Sequence, residues 1–427
     1  ARCINESTVT QNRFFIDTIK DKSYMLSDYG NDIFLGKFNF GSDKNENLKI
    51  ILDTISSDSQ SIIYCNTIYQ TIYTALHISK LYADIKNEQI NELVSLIDEK
   101  IHEAYYLKTC LKKGIAYHFG SIPEEIKNKV EELYSKGIIR FLFCTSTLLE
   151  GVNFPVKNIF ILSEKIGNRN MEKIDFWNLA GRAGRLKKEL SGNIFCVNLY
   201  NKDGYWNNEK KVAILRDKNI DPITPLIMTK SNQNLYKNIS NYFQDFSYTR
   251  KNMSANEEKT IELYGNILVY HELISGESIL KYNYINAEDN GVHHLRKLKK
   301  EIIVPSDIVA SNIDINIKSQ NMILKDDSNY MPENTDYEGC LRLLNILYEK
   351  YNWDKTESKG KTALVKSKEQ LQYYAVLMSA WIATKPLKVI LQACMNHFWH
   401  NGRPLKIELL DFDGKRKIVD FDIKNPL

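Results

Sequence analysis

Between residues 61 and 199, short apolar runs alternate with helical stretches, and this alternation constrains the fold more than any other feature. Runs that are apolar throughout are typical of parallel strands covered on both faces. The sequence therefore predicts an α/β domain, with a parallel sheet flanked by helices. The predicted strands are SIIYC (61–65), GIAYHF (114–119), RFLFC (140–144), NIFILS (158–163) and NIFCVNL (193–199).

The helices between these strands carry recognisable start and stop signals. One helix is predicted after Thr67, one over 123–135 and one over 176–186. Ser121 and Glu124 form a capping-box pattern before the second helix, and Gly137 is predicted to end it.

The sequence on either side of this domain has a different character. Residues 1–60 form an N-terminal segment with a strand-turn-strand pattern over 23–40 and then the polar stretch GSDKNEN. Beyond Tyr200 the alternation stops, and helices are predicted over 206–300. A helical accessory domain is predicted over 301–427, ending in a β-hairpin at Asp413-Gly414.

Composition narrows the class of protein. The net charge is only +4, so any surface for nucleic acid must be a local basic patch. No apolar run approaches the roughly 20 residues that a membrane span needs, so no membrane partner is expected. The seven cysteines contain no C-x-x-C pair and are expected to be buried free thiols in a reducing cytoplasm.

Three polar motifs follow or lie between the predicted strands. They are YHFGSIP (117–123), TSTLLEGVNFP (145–155) and NLAGRAGR (178–185). Because open α/β sheets bind ligands at the carboxyl ends of their strands, all three motifs are expected to face one crevice.

The NLAGRAGR motif suggests phosphate chemistry. Arg182 and Arg185 are three residues apart, so on a helix they project from one face. Two fixed guanidiniums can stabilise the charge that develops during phosphoryl transfer. Gly181 and Gly184 permit close approach to a ligand or to neighbouring backbone. The alternative is a solvated basic face on an ordinary helix.

The TSTLLEGVNFP motif also fits a phosphate or a sugar. Thr145 and Ser146 can offer hydroxyl groups and backbone N–H groups to a phosphate. Gly151 permits close approach, and Asn153 can bond a sugar hydroxyl. The alternative is a capped turn between a strand and a helix.

Taken in order, these motifs resemble motifs IVa, V and VI of superfamily 2 helicases. The resemblance is to the DExH branch with the ski-type RNA helicases and archaeal repair helicases, whose strings are similar to G-x-x-x-H-H-A-G-L, T-x-T-L-A-x-G-V-N-L-P and Q-x-x-G-R-A-G-R. SIIYCNT at 61–67 fits the motif IV strand. Residues 1–60 resemble the linker between the two motor domains of this group.

The resemblance implies a RecA-like second motor domain over 61–205, with a winged helix as one option for 206–300. It places Arg182 and Arg185 at the ATP phosphates, across a cleft between two motor domains. The other implied nucleotide contacts are Gly151, Asn153, Asn178 and Gly181. The implied contacts to RNA or DNA, taken as single-stranded, are Asn66, Thr67, Gly120, Ser121, Thr145 and Ser146. Asn178 departs from the usual Gln, and Phe119 stands where a second His is common.

The sequence lacks the motifs of a first motor domain. Gly360-Lys361-Thr362 ends like a G-x-x-x-x-G-K-S/T loop, but Lys355 occupies the first glycine position. Asp98-Glu99 imitates a DExH box, with its histidine one residue late. ATP and Mg²⁺ are therefore expected only in a full-length enzyme that contains the missing first RecA-like domain. No tightly bound cofactor, metal site or ATP hydrolysis is expected from this chain alone.

Two other functions remain open at this point. The chain could be a non-catalytic nucleic-acid-binding module with a degenerate helicase fold, or an α/β nucleotide-binding enzyme such as a glycosyltransferase. The sequence does not distinguish RNA from DNA.

Overall fold

The computed structural model divides the chain into two compact units, residues 1–220 with 386–427 and residues 221–385. The structure describes residues 10–26, 31–103, 105–146, 156–167, 169–184, 191–199, 233–244, 255–325, 331–350, 353, 365–400, 406–410 and 416–420. Within these ranges, every helix is too short or too polar to span a bilayer.

The first unit is built on an eight-stranded sheet. The strands of this unit up to residue 199 are β1 Thr10–Asp17, β2 Lys22–Met25, β3 Ile33–Gly36, β4 Ser61–Tyr64, β5 Ile115–His118, β6 Phe141–Cys144, β7 Asn158–Ile161, β8 Lys165–Ile166, β9 Arg169–Asn170 and β10 Ser191–Asn198. The sheet runs in the order β3-β2-β1-β10-β7-β4-β6-β5, while β8 and β9 form a separate antiparallel hairpin.

From β1 to β5 in that order, all neighbouring strands are parallel. Every residue of β4, β5, β6 and β7 is buried, as expected for strands covered on both faces. The predicted fold, a RecA-like parallel sheet flanked by helices, is confirmed.

The N-terminal segment is part of this sheet. The predicted strand-turn-strand is confirmed as the antiparallel pair β2 and β3. The sequence analysis missed β1, which lies parallel to β10 in register from Thr10 opposite Ser191 to Asp17 opposite Asn198.

Helices α1 to α6 also belong to the first unit. They are α1 Lys44–Ile55, α2 Ile68–Ser79, α3 Glu88–Lys100, α4 Leu107–Leu111, α5 Glu124–Ser135 and α6 Lys173–Ala180. The polar stretch GSDKNEN starts α1, because the Asp43 carboxylate accepts hydrogen bonds from the backbone N–H groups of Asn45 and Glu46, at 2.7 and 3.0 Å. This helix was not predicted.

The predicted signals around α5 were partly wrong. Gly137 ends the helix with a φ of +79°, as expected. The capping box is absent: α5 begins after Pro123 and has no side-chain cap, and Ser121 lies in the preceding turn. Pro123 occupies the N-cap position, and its side chain has no hydrogen-bond acceptor, so the helix begins without the predicted box.

The described part of the second unit is helical, as predicted for the region beyond Tyr200. Its helices are α7 Gln233–Gln244, α8 Ala255–Leu273, α9 Ile279–Ala287, α10 Gly291–Glu301, α11 Ser306–Ser311, α12 Ile317–Lys325, α13 Tyr337–Lys350 and α14 Gln370–Ile382. Asn266 is fully buried, and its amide donates to the carbonyls of Ile313 and Ile315, both at 2.9 Å. The boundaries at 205/206 and 300/301, and the winged helix, stay predictions.

The C-terminal part of the chain returns to the first unit. Helix α15, Leu387–His400, contributes the fully buried Leu391 to the core of that unit. The Lys388 Nζ donates to the Asp98 carbonyl of α3 at 2.8 Å. The predicted C-terminal hairpin is confirmed as β11 Lys406–Leu410 and β12 Arg416–Asp420, with its Asp413-Gly414 turn outside the described residues.

Candidate nucleotide and nucleic-acid sites

The carboxyl edge of the parallel strands carries the residues predicted to contact nucleic acid. Asn66 and Thr67 follow β4, Gly120 and Ser121 follow β5, and Thr145 and Ser146 follow β6. These strands are neighbours, so their turns adjoin. The Thr145 N–H donates to the His118 carbonyl at 3.4 Å, and the Cys65 N–H donates to the Cys144 carbonyl at 2.8 Å.

The side chains of this group differ in how available they are. Thr67 caps α2 by accepting from the Gln70 N–H at 3.1 Å. Thr145 is 7% exposed, whereas Gly120 and Ser121 are exposed. Exposed small residues leave backbone N–H groups accessible, and such groups supply many contacts to nucleic-acid phosphates.

The β8–β9 hairpin, which sequence reasoning missed, also projects at this edge. The Tyr64 hydroxyl donates to the Lys165 carbonyl at 2.9 Å, and the Asn66 amide donates to the Gly167 carbonyl at 2.8 Å. Tyr64, predicted only as a strand residue, and Asn66, predicted as a contact to nucleic acid, thus fix the hairpin.

Strand β9 is also tied to α6. The Arg169 guanidinium donates to both oxygens of Asp175, at 2.5 and 2.9 Å. Partial burial opposes the Asp175 charge, but the bonds from Arg169 and from the Glu172 N–H prevail and lower the pKa of this carboxyl. Asp175 is therefore ionised at neutral pH and holds the hairpin against the first turn of α6.

His118, in the motif YHFGSIP, is a buried and neutral histidine. Burial, aided by the Lys127 charge, lowers its pKa to about 4. Its Nε2 lies 3.0 Å from Glu131 Oε1, while its buried Nδ1 has no hydrogen-bond partner among the described residues. The geometry fits a neutral ring that donates from Nε2 to the Glu131 carboxylate.

Arg182 lies at the opposite, amino edge of the sheet, in a segment we call the arginine turn, residues 181–184. The turn begins directly after α6 ends at Ala180. Ala183 forms a β-bridge with Val156, just before β7, and the Gly184 N–H donates to the Val156 carbonyl at 2.9 Å. Gly184 has a φ of +78°, a left-handed conformation that glycine adopts without steric cost.

Two expectations from the sequence are therefore wrong. The helix predicted over 176–186 ends at Ala180, so Arg182 lies in the turn after it and not on a helix. Among the described residues of the motifs, 117–123 and 145–146 lie at the carboxyl edge and 181–184 at the amino edge, so these do not face one crevice. Helix α6 follows a parallel strand and must return to the start of the next one, so its eight residues, about 12 Å, cross from the carboxyl edge to the amino edge.

The other predicted nucleotide contacts divide into two groups. Asn178 and Gly181 are exposed and lie within four residues of Arg182 along the chain. Gly151, Asn153 and Arg185 lie outside the described residues.

Two residues that support the arginine turn were not recognised in the sequence. Gly192, in β10, packs so closely that a Cβ there would lie 2.5 Å from the Gly184 nitrogen. The Gln11 side chain, in β1, donates to the Ala180 carbonyl at 2.9 Å. Gly192 directly precedes the predicted strand NIFCVNL, so its position gave a signal, whereas nothing near Gln11 marked it.

Comparison with protein families identifies the motif-bearing segment. The helicase conserved C-terminal domain matches residues 43–187, a range that contains all three motifs. Residues 43–187 are a superfamily 2 helicase C-terminal domain.

Curated relatives agree with this assignment. The chain is 33% identical to anti-bacteriophage protein B of Escherichia coli over 137 residues, which is 32% of this chain and 18% of that protein. It is 27% identical to Hachiman protein HamB of Bacillus cereus over 197 residues, 43% of this chain and 18% of that protein. It is 24% identical to ATP-dependent DNA helicase Hel308 of Methanococcus vannielii over 152 residues, 33% of this chain and 20% of that protein.

The similarity to the helicase C-terminal domain is thus regional. The matched segments span about a fifth of each of these relatives. These matches identify the family of the domain, and they do not extend to the activity of a whole protein.

Proposed function

We propose that this chain supplies the second motor domain of an ATP-dependent helicase or single-strand translocase. A first RecA-like domain, which would carry the G-x-x-x-x-G-K-S/T and DExH motifs, holds ATP and Mg²⁺ against the arginine turn. The single observation that supports this most is the arrangement of one sheet, with Arg182 at its amino edge and the polar turns of motifs IV, IVa and V at its carboxyl edge.

At the amino edge, the proposed role of Arg182 and Arg185 is to stabilise charge on the transferring phosphate. A group with this role must be held in place before the reaction, because reorientation during the reaction costs free energy. The arginine turn meets this requirement, since the helix end, Val156 and Gly192 all fix its backbone. Asn178 and Gly181 are exposed beside it, and with Gly151 and Asn153 they are the proposed nucleotide contacts.

At the carboxyl edge, the proposed ligand is the backbone of single-stranded RNA or DNA. Ser121 and Gly120 are exposed there, and Asn66, Thr67, Thr145 and Ser146 border them. Because Thr67 and Asn66 already bond within the protein, their proposed part is to shape the surface and to offer backbone groups.

The two edges are connected by motif V. Ser146 lies at the carboxyl edge and Val156 at the amino edge, so residues 147–155, with Gly151 and Asn153, join one to the other in sequence. We propose that closure of the two motor domains on ATP is communicated through this segment to the bound nucleic-acid strand, and that hydrolysis reopens the domains.

The test is nucleic-acid-stimulated ATP hydrolysis by the full-length protein. We expect Arg182→Ala to lower kcat by about 10³-fold or more, as for other arginine fingers, while nucleic-acid binding is retained. Arg182→Lys should recover little, because lysine lacks the planar fork of arginine. Lys112→Ala, which removes an exposed cation beside β5, is the charge control and should stay within about twofold of wild type, the usual outcome away from a site.

The outcomes separate the candidate functions. Unchanged stimulated turnover in Arg182→Ala would refute the finger assignment. If the wild-type protein binds nucleic acid without stimulated hydrolysis, the non-catalytic binding module is favoured. That second candidate is motivated by Asn178, which replaces the usual Gln of motif VI. Strand displacement on RNA, DNA and hybrid duplexes would identify the nucleic acid.

A further inference from the structure

Strand β1 contributes two side chains to the end of α6, and we infer that Gln11 and Arg13 are positioning residues for Arg182. The inference rests on the function proposed above. It concerns a strand outside residues 43–187, the range matched by the helicase C-terminal domain.

The pairing of β1 with β10 brings these side chains to α6. Gln11 lies opposite Gly192, and Arg13 lies opposite Ile194. Residues two apart in a strand point to the same face of the sheet. On that face, the Gln11 Nε2 donates to the Ala180 carbonyl at 2.9 Å, and the Arg13 guanidinium lies 5.5 Å from the centre of the Trp177 ring.

The Gln11 bond acts at the point where the helix becomes the arginine turn. Ala180 is the last residue of α6, and the last carbonyls of a helix lack partners within it. The Ala180 carbonyl accepts from Gln11 and also from the Ala183 N–H at 2.9 Å. The Ala180 carbonyl thus connects Gln11 of β1 to the residues on either side of Arg182, Ala180 at the end of α6 and Ala183 in the arginine turn.

The Arg13 contact fixes the helix one turn earlier. Arg13 is 4% exposed and Trp177 is 9% exposed, so the cation and the indole meet largely out of water. A cation–π contact is stronger when it is desolvated than when it is exposed. Trp177 precedes Ala180 by three residues, so Arg13 and Gln11 hold the same side of the helix.

Loss of the Gln11 bond would act on the reaction rather than on ATP binding. The turn would keep its contacts to Val156 and Gly192 but lose its connection to β1. A shift of about 1 Å in a group that stabilises the transition state costs up to about 10²-fold in rate. Ground-state ATP binding, which the first motor domain dominates in the proposal, would change little.

The test compares Gln11→Met with Asn12→Leu in the full-length protein. Both changes replace an amide with an apolar side chain of similar size on the same strand. Asn12 is the matched control, because it lies on the opposite face of the sheet and donates to Asn193 Oδ1 at 3.0 Å. We expect Gln11→Met to lower the stimulated kcat by about tenfold with the KM for ATP within about twofold, and Asn12→Leu to leave kcat within about twofold.

A double-mutant cycle shows whether the effect passes through Arg182. In single turnover, where slow rates remain measurable, Gln11→Met should have no further effect on Arg182→Ala. Equal losses in the two backgrounds would overturn the inference, as would a wild-type kcat for Gln11→Met. If Gln11→Met unfolds below the assay temperature, Arg13→Lys, which keeps the charge and loses the planar contact, is measured by the same cycle.

The same data distinguish this inference from the function on which it rests. A wild-type rate for Gln11→Met beside an inactive Arg182→Ala overturns only the positioning role. An active Arg182→Ala overturns the proposed role of the arginine itself.

Discussion

Gly192→Ala should displace the arginine turn without removing any hydrogen-bonding group. A Cβ at residue 192 would fall on the backbone carbonyl of Ala183 and 2.5 Å from the Gly184 nitrogen. Both contacts are with backbone, so no side chain can rotate away. Ordinary contact begins at 3.4 Å, and the turn and β10 must therefore separate by about 1 Å, an overpacking strain that costs about 1–3 kcal/mol.

Two measurements on the full-length protein check this magnitude. The loss should lower the unfolding temperature by a few degrees, about 2–4 °C per kcal/mol for a domain of this size. The displacement should also lower the nucleic-acid-stimulated kcat by about 10-fold to 10²-fold, because it moves Arg182 by about 1 Å.

The matched control is Gly41→Ala. A Cβ at residue 41 would meet nothing closer than Asn47 Oδ1 at 4.0 Å, and Gly41 has no left-handed φ. It should therefore keep the wild-type unfolding temperature and rate. The reasoning is refuted if Gly192→Ala matches Gly41→Ala in both measurements.

Two further predictions concern the carboxyl edge. Burial lowers the pKa of His118 from 6.5 to about 4. The unfolded chain therefore takes up a proton at this residue near pH 6.5, while the folded protein does not. As a result, the free energy of unfolding falls as the pH falls from 6.5 towards 4. In His118→Gln, the decrease in the free energy of unfolding at acid pH should be smaller by about 3 kcal/mol. The free energy of unfolding of both proteins, measured between pH 4 and 7, checks this. The same dependence on pH in the two proteins would contradict it. Asn66→Ala removes the hydrogen bond to the Gly167 carbonyl, which is worth about 1 kcal/mol. Backbone amides of the β8–β9 hairpin should then exchange with solvent about fivefold faster. Unchanged exchange would show that the bonds of Tyr64 and Asp175 hold the hairpin without Asn66.

The parallel sheet could be predicted because its strands are wholly buried. In β4, β5, β6 and β7 every side chain enters the core, so the apolar runs are visible without knowledge of the partner strands. Thr67 and Gly137 were likewise visible, since a helix cap and a helix stop depend only on nearby residues. The order of the motifs then indicated the helicase class.

Features set by distant contacts could not be predicted. The NLAGRAGR motif has helical spacing, but the bridge between Ala183 and Val156 and the packing of Gly192 stop α6 at Ala180. Strand β1 has mixed polarity, since Gln11 bonds to α6 and Arg13 lies over the Trp177 ring, so its sequence lacks the apolar run that marks the other parallel strands. The periodicity of a sequence reflects local conformation. It carries no information on a contact such as the bond from Gln11 to Ala180, which lies 169 residues further along the chain.

The position of β10 determines which residues a shortened form of this domain must include to keep its sheet paired. β10 begins at Ser191, after the last residue of the matched range, and it covers the side of β7 that would otherwise be an open apolar border. A polypeptide trimmed to 43–187 would leave the backbone of Ile159 and Phe160 unpaired on that side, a template for aggregation. A stretch that pairs β7 with β10, and β10 in turn with β1, extends at least from Thr10 to Asn198.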